Sequence, residues 1–326
     1  MKRTMALVFA VMLALSGFHF AAEAQNPELS EEIKGILAKL EIVAGDYLDY
    51  DEGTLTRGEF AVMLAKAYGF SSGTVTSKNP FYDVDPKTQT GKAIIFLYEN
   101  GIIEKKGSEI FDINSPIKST DALKMSAFAL NYREKFYATN NILSIVSKLD
   151  LDKGTSGAGL LTKFDGAKII HNTLLSKPIV VSYITNDHNS SYVDGSKTLL
   201  EETFKIVRQS GIVEADMFCG TNDVSGAVGK DKLKISGEIY DAGEINADDL
   251  LGYPVIYYSK TADSDDEYQI VYLTKNMSKI SELKINANEF VSFDGRIFEY
   301  EVNDEIKSKK LEAPKIFKNG ICEYNE

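Results

Sequence analysis

The chain has 326 residues and a formal net charge of −12; residues 25–185 account for −2 and residues 186–326 for −11. This acidic balance argues against nucleic acid or anionic lipid as a partner, because phosphate groups are bound mainly by lysine and arginine. Only two cysteines are present, Cys219 and Cys322, so the chain is no disulfide-rich scaffold, although an exported protein could pair them.

The first 24 residues have the three parts of a secretory signal peptide. Lys2 and Arg3 precede an unbroken apolar run from Met5 to Leu15, and Ala22-Glu23-Ala24 supplies the small residues that a signal peptidase recognises. The alternative is an uncleaved membrane anchor, but a spanning helix needs about 20 apolar residues, which this run does not reach. We therefore expect cleavage after Ala24, an extracellular location, and no membrane span in the mature chain.

Three related segments follow and align without gaps. They are Leu55–Leu64, Ile117–Ser126 and Leu161–Ile170. Each begins with an aliphatic residue, has an acid at its fifth position and an apolar residue at its ninth. Thr56 and Thr162 are in the place of a helix N-cap, with an acid three residues later that reaches back to the cap. In the second segment, where the threonine is missing, Ser119 is the expected cap.

Each segment is preceded by a stretch with helical spacing that ends in a glycine-bearing turn, and these stretches lie within residues 36–45, 93–103 and 142–154. The predicted unit is therefore a helix, a turn, a short loop and a capped helix. Three copies should bury one shared core, because a single helix pair cannot cover its own apolar face. We place the three repeats at about residues 33–70, 81–132 and 141–180.

Three stretches of these repeats resemble the S-layer homology domain. They are Phe81-Tyr-Asp-Val84, Tyr98-Glu-Asn-Gly-Ile-Ile103 and Leu55-Thr-Arg-Gly-Glu-Phe60. The resemblance covers about residues 33–180 and implies an all-α, three-sided helical prism. It also implies attachment to the secondary cell-wall polysaccharide, in the cell wall or S-layer of a Gram-positive-type bacterium. Other surface-layer proteins are a further implied partner.

The resemblance also implies which residues bind the polymer. In that family the arginine of a Thr-Arg-Ala-Glu motif lies in a groove between repeats, where a guanidinium can bind carboxylate or phosphate oxygens. Arg57 matches this arginine, Lys163 keeps only the charge, and Ser119 replaces the base. The implied polymer-binding residues are Thr56, Arg57, Glu59, Ser119, Asp121, Thr162, Lys163 and Asp165. The alternative is that these residues are ordinary helix caps and solvated cations.

The remainder of the chain has a different character. Residues 186–197 are predicted to be a polar linker. Residues 198–326 are predicted to begin with a helix at Thr198–Lys205 and an exit turn at Gly211–Ala215 and to continue as an acidic β-rich module. Alternating residues predict short antiparallel strands within four runs. These runs are Lys232–Tyr240, Pro254–Ser259, Tyr268–Thr274 and Phe290–Tyr300. The predicted fold class is α+β and multidomain.

No catalytic or metal-binding pattern stands out in this sequence. His171 and His188 do not have the spacing of a zinc motif, and Gly154–Gly159 lacks the glycine that a nucleophile elbow needs at position 158. We therefore predict a non-catalytic protein without a cofactor or metal. Two alternatives remain open: a wall-associated hydrolase or accessory subunit with its site in residues 190–326, and a degenerate repeat module for protein–protein assembly.

Overall fold

The structure is a computed structural model of the full chain. It describes residues 27–45, 47–48, 53–71, 79–105, 107, 109–157, 159–184, 190–218, 220–221, 227–243, 245, 250–261, 268–280, 289–293, 297–310, 316–318 and 321–323. The predicted signal peptide with its cleavage site, His188 and Cys219 all lie outside the described residues, and so does the pairing of Cys219 with Cys322.

Helices form the first half of the described chain. They are α1 (Pro27–Lys39), α2 (Arg57–Ala67), α3 (Gln89–Glu99), α4 (Ser119–Ala129), α5 (Arg133–Thr139), α6 (Ile142–Leu149) and α7 (Lys163–Leu175). Helix α2 packs against α3, α4 packs against α6, and α7 packs against α2, α4 and α1, so that the helices of the three repeats are in mutual contact. Their apolar residues form one continuous buried core, as expected for repeats that cannot cover their apolar faces singly.

Backbone hydrogen bonds join the three aligned segments around a common centre. The amide of Leu55 donates to the carbonyl of Leu161 (2.8 Å), that of Leu161 to Ile117 (3.1 Å), and that of Ile117 to Leu55 (2.9 Å). All three side chains are buried. The aliphatic residue that begins each segment therefore lies in a closed ring of hydrogen bonds, flanked by three short β-bridges.

Packing at the sixth position of the segments is unequal. Phe60 and Ala122 are both fully buried, and the third segment has Gly166. A Cβ atom added to Gly166 would lie 2.2 Å from Leu55 Cδ2 and 3.7 Å from the Phe60 ring. Leu55 therefore leaves no room for a side chain at position 166.

Strands follow the helices, with one short helix between them. They are β1 (Ile179–Ile184), β2 (Ser190–Asp194), α8 (Leu199–Phe204), β3 (Ile206–Ala215), β4 (Lys232–Ile235), β5 (Glu238–Asp241), β6 (Pro254–Thr261), β7 (Tyr268–Lys275), β8 (Phe290–Phe293), β9 (Ile297–Val302), β10 (Glu305–Lys310), β11 (Ile316–Lys318) and β12 (Ile321–Glu323). The expectation of a mixed α+β fold is confirmed. So are the strands expected in the four alternating runs.

The predicted linker is wrong over residues 190–194. These residues form β2, which pairs antiparallel with β1 from Ile179 opposite Asp194 to Ile184 opposite Ser190. The hairpin is fastened to the helices by an ion pair between Asp194 and Lys148 of α6. The polar composition of residues 190–194 did not predict a strand, because one exposed face of an antiparallel pair can be polar. The pairing satisfies the backbone hydrogen bonds, while the side chains of Val193 and Asp194 remain exposed.

Strands β3 to β7 form a closed barrel in the order β3-β4-β5-β7-β6. The prediction of purely antiparallel strands is wrong at one junction, since β5 and β7 are parallel, with Tyr240 opposite Tyr268. The exit turn predicted at Gly211–Ala215 is also wrong, because β3 continues through it. Gly211 serves close packing instead: a Cβ atom there would lie 2.6 Å from Ser236 Oγ.

The barrel and the helices are joined by residues on alternate faces of β6. Val255 and Tyr257 point into the barrel core, whereas Ile256 and Tyr258 belong to the helical core. Helix α1 lies against β7, where the Tyr272 ring occupies the space beside Gly35, and the Tyr272 hydroxyl donates to the Glu31 carbonyl (2.9 Å). Strands β1 and β2 lie before the predicted boundary near residue 198 and helix α8 lies after it, and the helical core extends onto one face of the barrel.

A buried polar cluster lies at this junction. Arg208 donates to both carboxylate oxygens of Glu32, from Nε (2.6 Å) and Nη2 (3.1 Å), and Tyr258 Oη donates to Glu32 Oε1 (2.6 Å). Because the Tyr258 proton is already engaged in the bond to Glu32, His171 Nε2 acts as the donor in its 2.9 Å contact with the Tyr258 oxygen. The cluster thus connects α1, α7, β3 and β6.

Within the described residues, no helix is both long and apolar enough to cross a membrane.

Candidate binding grooves between the repeats

The first residues of α2, α4 and α7 are equivalent in the three repeats. Their amides each donate to a carbonyl in a neighbouring lead-in: Arg57 to Ser115 (2.9 Å), Ser119 to Gly159 (2.8 Å) and Lys163 to Gly53 (3.3 Å). These bonds place each helix start beside the following repeat. The junctions between repeats are therefore where the side chains predicted to bind polymer are found.

The helix caps agree with the sequence prediction in two repeats and differ in one. Thr56 and Glu59 form a complete capping box, with the Glu59 amide donating to Thr56 Oγ1 (3.2 Å) and the Thr56 amide donating to Glu59 Oε2 (2.8 Å). Thr162 caps α7. The prediction that Ser119 caps α4 is wrong: the N-cap is Lys118, whose side chain makes no capping bond, and Ser119 is the first residue inside the helix.

The junction between repeats one and two, which we name groove A, contains Arg57. Its Nε donates to the Phe111 carbonyl (3.0 Å), and its Nη1 donates to Asp121 Oδ2 (3.0 Å). The guanidinium carbon lies 5.0 Å from the centre of the Phe111 ring. The cavity has a volume of about 210 Å³. The two residues that the sequence proposed as separate polymer contacts, Arg57 and Asp121, are therefore bonded to each other.

A second ion cluster forms the wall of groove A. Glu104 pairs with Lys124 (3.4 Å) and Arg133 (3.2 Å) and accepts a hydrogen bond from the Tyr137 hydroxyl. Burial alone would raise the pKa of Glu104, but the Tyr137 hydrogen bond and the two cations outweigh burial and lower it. The Lys124 ammonium also lies over the Phe128 ring, 4.9 Å from its centre. Groove A thus has its charges matched from within the chain.

The junction between repeats three and one, which we name groove B, contains Lys163. Its ammonium lies 4.7 Å from the centre of the Tyr47 ring. Tyr47 also lines a cavity of about 500 Å³, but Lys163 does not line it. The other lining residues belong to repeats one and two: Ile42, Val43, Ala44, Thr56, Gly58, Glu59, Val62, Met63, Thr90, Ile113 and Asn114. Among the described residues, no carboxylate forms an ion pair with Lys163. This cation therefore has an aromatic neighbour and no described counter-charge.

At the junction between repeats two and three, the two residues predicted to bind polymer are buried. Asp165 is only 2% exposed, and its carboxylate accepts hydrogen bonds from the Ser156 amide (3.2 Å) and hydroxyl and from Lys168 Nζ (3.3 Å). Ser119 is likewise buried, at 5% exposure. Neither residue is available to a polymer, and the carboxylate of Asp165 is engaged by Ser156 and Lys168 instead of the start of its own helix.

Sequence reasoning missed the partners of the two cations. Phe111 and Tyr47 lie in the lead-ins, six residues before Ile117 and eight before Leu55. The signal that could have revealed them is an aromatic residue shortly before two of the aligned segments. Because Phe111 and Tyr47 lie at different distances from the segments that follow them, a gapless alignment does not pair these two aromatic residues.

No family model matches this chain, and neither does any curated protein.

The described residues also hold no group of three or more His, Cys, Asp or Glu side chains that could bind a metal ion. The grooves place two cations on aromatic rings: Arg57, which is paired with Asp121, lies on Phe111, and Lys163 lies on Tyr47. Such surfaces bind acidic or aromatic-stacking ligands.

Proposed function

We propose that this protein is a secreted, non-catalytic cell-surface protein that binds cell-wall polysaccharide through the grooves between its three helical repeats. The attachment would be non-covalent, as in the S-layer homology domain that its repeats resemble. The single observation that carries this proposal is the equivalent placement of Arg57 and Lys163, each of which lies on an aromatic side chain of a neighbouring lead-in.

The three-sided prism implied by the resemblance is part of this proposal. Its support is the closed ring of hydrogen bonds through Leu55, Ile117 and Leu161, together with the mutual packing of the helices. At two of the three junctions a cation lies on an aromatic ring, whereas at the third the Asp165 carboxylate is buried with its partners. We therefore propose two polymer contacts for each molecule, and not three.

Sugar polymers suit this chemistry for two reasons. The ring of Tyr47, which is only partly buried, can pack against the C–H face of a sugar ring. Lysine and arginine bind the carboxylates or phosphates that make wall polymers acidic. The strongly acidic β-rich part, net −11 over residues 186–326, would be repelled by such a polymer and would extend away from it.

The experiment is sedimentation of the purified protein, lacking residues 1–24, with isolated Gram-positive cell-wall sacculi. We expect the protein to pellet with the walls. The double variant Arg57→Ala/Lys163→Ala should bind at least about tenfold more weakly, since a hydrogen bond to a charged group contributes roughly 1.5–3 kcal/mol. Lys87→Ala, an exposed lysine of the repeats outside both cavities, is the matched control and should bind normally.

Two results would count against this function. Protein that stays in the supernatant with stripped walls but pellets with walls that retain their surface-layer proteins would indicate an assembly module. Release of soluble sugars from the walls, lost on truncation before residue 190, would indicate a hydrolase.

A further inference from the structure

The three-stranded sheet near the end of the chain has exposed apolar side chains on both of its faces. Its strands are ordered β10-β9-β8, and their extensive contacts with described elements are with one another. The strand register assigns each side chain to a face, because successive residues of a strand alternate between faces and residues opposite each other share one.

One face of this sheet combines aromatic and basic side chains. Tyr300 is opposite Lys307 of β10 and Phe290 of β8, and Lys309 follows Lys307 on the same side. Both lysines are exposed, and Phe290 is 47% exposed. We name this surface the basic face; its members are Phe290, Tyr300, Val302, Lys307 and Lys309.

The opposite face combines aliphatic and acidic side chains. Glu301 is opposite Ile306, and Glu299 is opposite Ser308. Ile306 is 66% exposed and Ile297 is 40% exposed. The Ser292 hydroxyl donates to Glu299 Oε2 (2.6 Å). We name this surface the acidic face; its members are Ile297, Glu299, Glu301 and Ile306.

The sheet does not match these charges internally. Lys307 is opposite a tyrosine and Glu301 is opposite an isoleucine. Among the described residues, neither Lys307 nor Lys309 forms an ion pair, and Glu301 forms none either. Each face therefore presents two side chains of one sign to solvent.

The two pairs of charges have the same spacing. Lys307 and Lys309 are two residues apart on β10, and Glu299 and Glu301 are two residues apart on β9, so each pair spans about 6.8 Å along its strand. The end rows continue the pattern with opposite sign. Glu305 is in the row of Val302 at the end of the basic face, and the register places Lys310 in the row of Ile297.

This pattern decides how two copies can meet. Two basic faces would bring four lysines together, and two acidic faces would bring four glutamates together; both arrangements are repulsive. A basic face on an acidic face pairs opposite charges at equal spacing and covers apolar side chains of both. It also supplies a basic patch in a region that carries a net charge of −11 over residues 186–326.

We propose that copies of this chain associate head to tail in solution, with the basic face of one copy stacked on the acidic face of the next. Lys307 and Lys309 would pair with Glu299 and Glu301 of the neighbouring copy, while Ile306 of that copy packs beside Phe290 and Tyr300. An interface between two different surfaces leaves one face open at each end, so further copies can add. This inference does not depend on wall binding.

The first test is sedimentation velocity of the purified protein, lacking residues 1–24, without wall material. Concentrations from about 10 µM to about 1 mM cover the affinities of small interfaces. We expect the weight-average sedimentation coefficient to rise with concentration, and less so as NaCl increases from about 0.05 M to about 0.5 M, because salt screens exposed charges. A chain that stays monomeric throughout overturns the proposal and leaves the two faces to a different partner.

The second test reverses one face at a time. Lys307→Glu/Lys309→Glu makes both faces acidic, and Glu299→Lys/Glu301→Lys makes both faces basic. Each variant should self-associate at least about tenfold more weakly. An equimolar mixture should associate again, because each reversed face then meets a face of opposite charge. A mixture that stays monomeric, or a reversal that changes nothing, would contradict the proposed contact.

A control separates this contact from an effect of net charge. Lys87→Glu/Lys260→Glu makes the same change in net charge as the lysine reversal, at exposed positions outside the sheet. It should associate as the unmodified protein does, and an equal loss would overturn the proposal. If either reversal fails to fold by circular dichroism, Lys307→Gln/Lys309→Gln and Glu301→Gln decide: both should weaken the association.

Discussion

Glu32 and Arg208 are 176 residues apart in the chain and form a two-bond ion pair where the first helix meets the barrel. Glu32 is 2% exposed, whereas 34% of the Arg208 side chain remains accessible to solvent. Because α1 also packs against α7, this pair connects repeat packing to the barrel. The barrel therefore contributes to the stability of the repeats that we propose as the wall-binding unit.

Removal of Arg208 should cost more stability than removal of Glu32. Arg208→Ala leaves a buried carboxylate without its cation, which we expect to cost about 2–3 kcal/mol. Glu32→Gln leaves an arginine that can reach water, so its cost should be smaller. Urea unfolding measures both, with Lys260→Ala on an exposed part of β6 as the control. An equal or reversed order would contradict this explanation of the pair.

Stability should depend on pH through Glu32. Burial raises its pKa, but the neighbouring His171 and the hydrogen bonds from Arg208 and Tyr258 outweigh burial and bring it well below the ordinary value of 4.5. A lowered carboxyl pKa contributes stability that is complete above the unfolded pKa and is lost as the pH falls below it. Urea unfolding from pH 7 to pH 3 should show this loss below about pH 4.5. Glu32→Gln should lose less stability over the same interval; an unchanged slope would exclude Glu32 as the source.

Glycine at position 166 should be required by packing. Gly166→Ala places a methyl group 2.2 Å from Leu55 Cδ2, and overpacking of this kind costs about 1–3 kcal/mol. Gly45→Ala is the matched control, because nothing lies within 4 Å of its added Cβ atom. Thermal unfolding should show a lower Tm for Gly166→Ala only. Leu55→Val should recover part of the loss in the double variant, and strict additivity of the two changes would contradict the proposed contact.

The second repeat can be stabilised by restoring its missing cap. Lys118 has the extended backbone of an N-cap residue but no side-chain acceptor, whereas Thr56 and Thr162 both cap their helices. Lys118→Thr should raise the free energy of unfolding by about 0.5–1 kcal/mol. Lys87→Thr, at an exposed position outside the helices, should change it little. No gain from Lys118→Thr would mean that the backbone bond from Ser119 already satisfies this helix start.

The sequence pattern predicted the secondary structure correctly where interactions between residues a few positions apart determine it. The threonine caps of α2 and α7 and the alternating strands of the barrel were predicted because hydroxyl caps and period-two alternation act over a few residues. Predictions failed where a distant contact overrides a local signal. Gly211 and the polar residues 190–194 suggested a turn and a linker, but strand pairing with β6 and β1 determines both.

The candidate grooves show the same difference between what local sequence and what distant contacts determine. The sequence by itself placed Arg57, Ser119 and Lys163 at equivalent helix starts, because each belongs to a repeated segment with its own periodicity. Only the tertiary structure decided what each can do: Arg57 is neutralised by Asp121, Ser119 is buried, and Lys163 lies on the ring of Tyr47. The physical reason is that charge, burial and volume in a groove depend on residues of two repeats at once, and one repeat's sequence does not contain its neighbour's side chains.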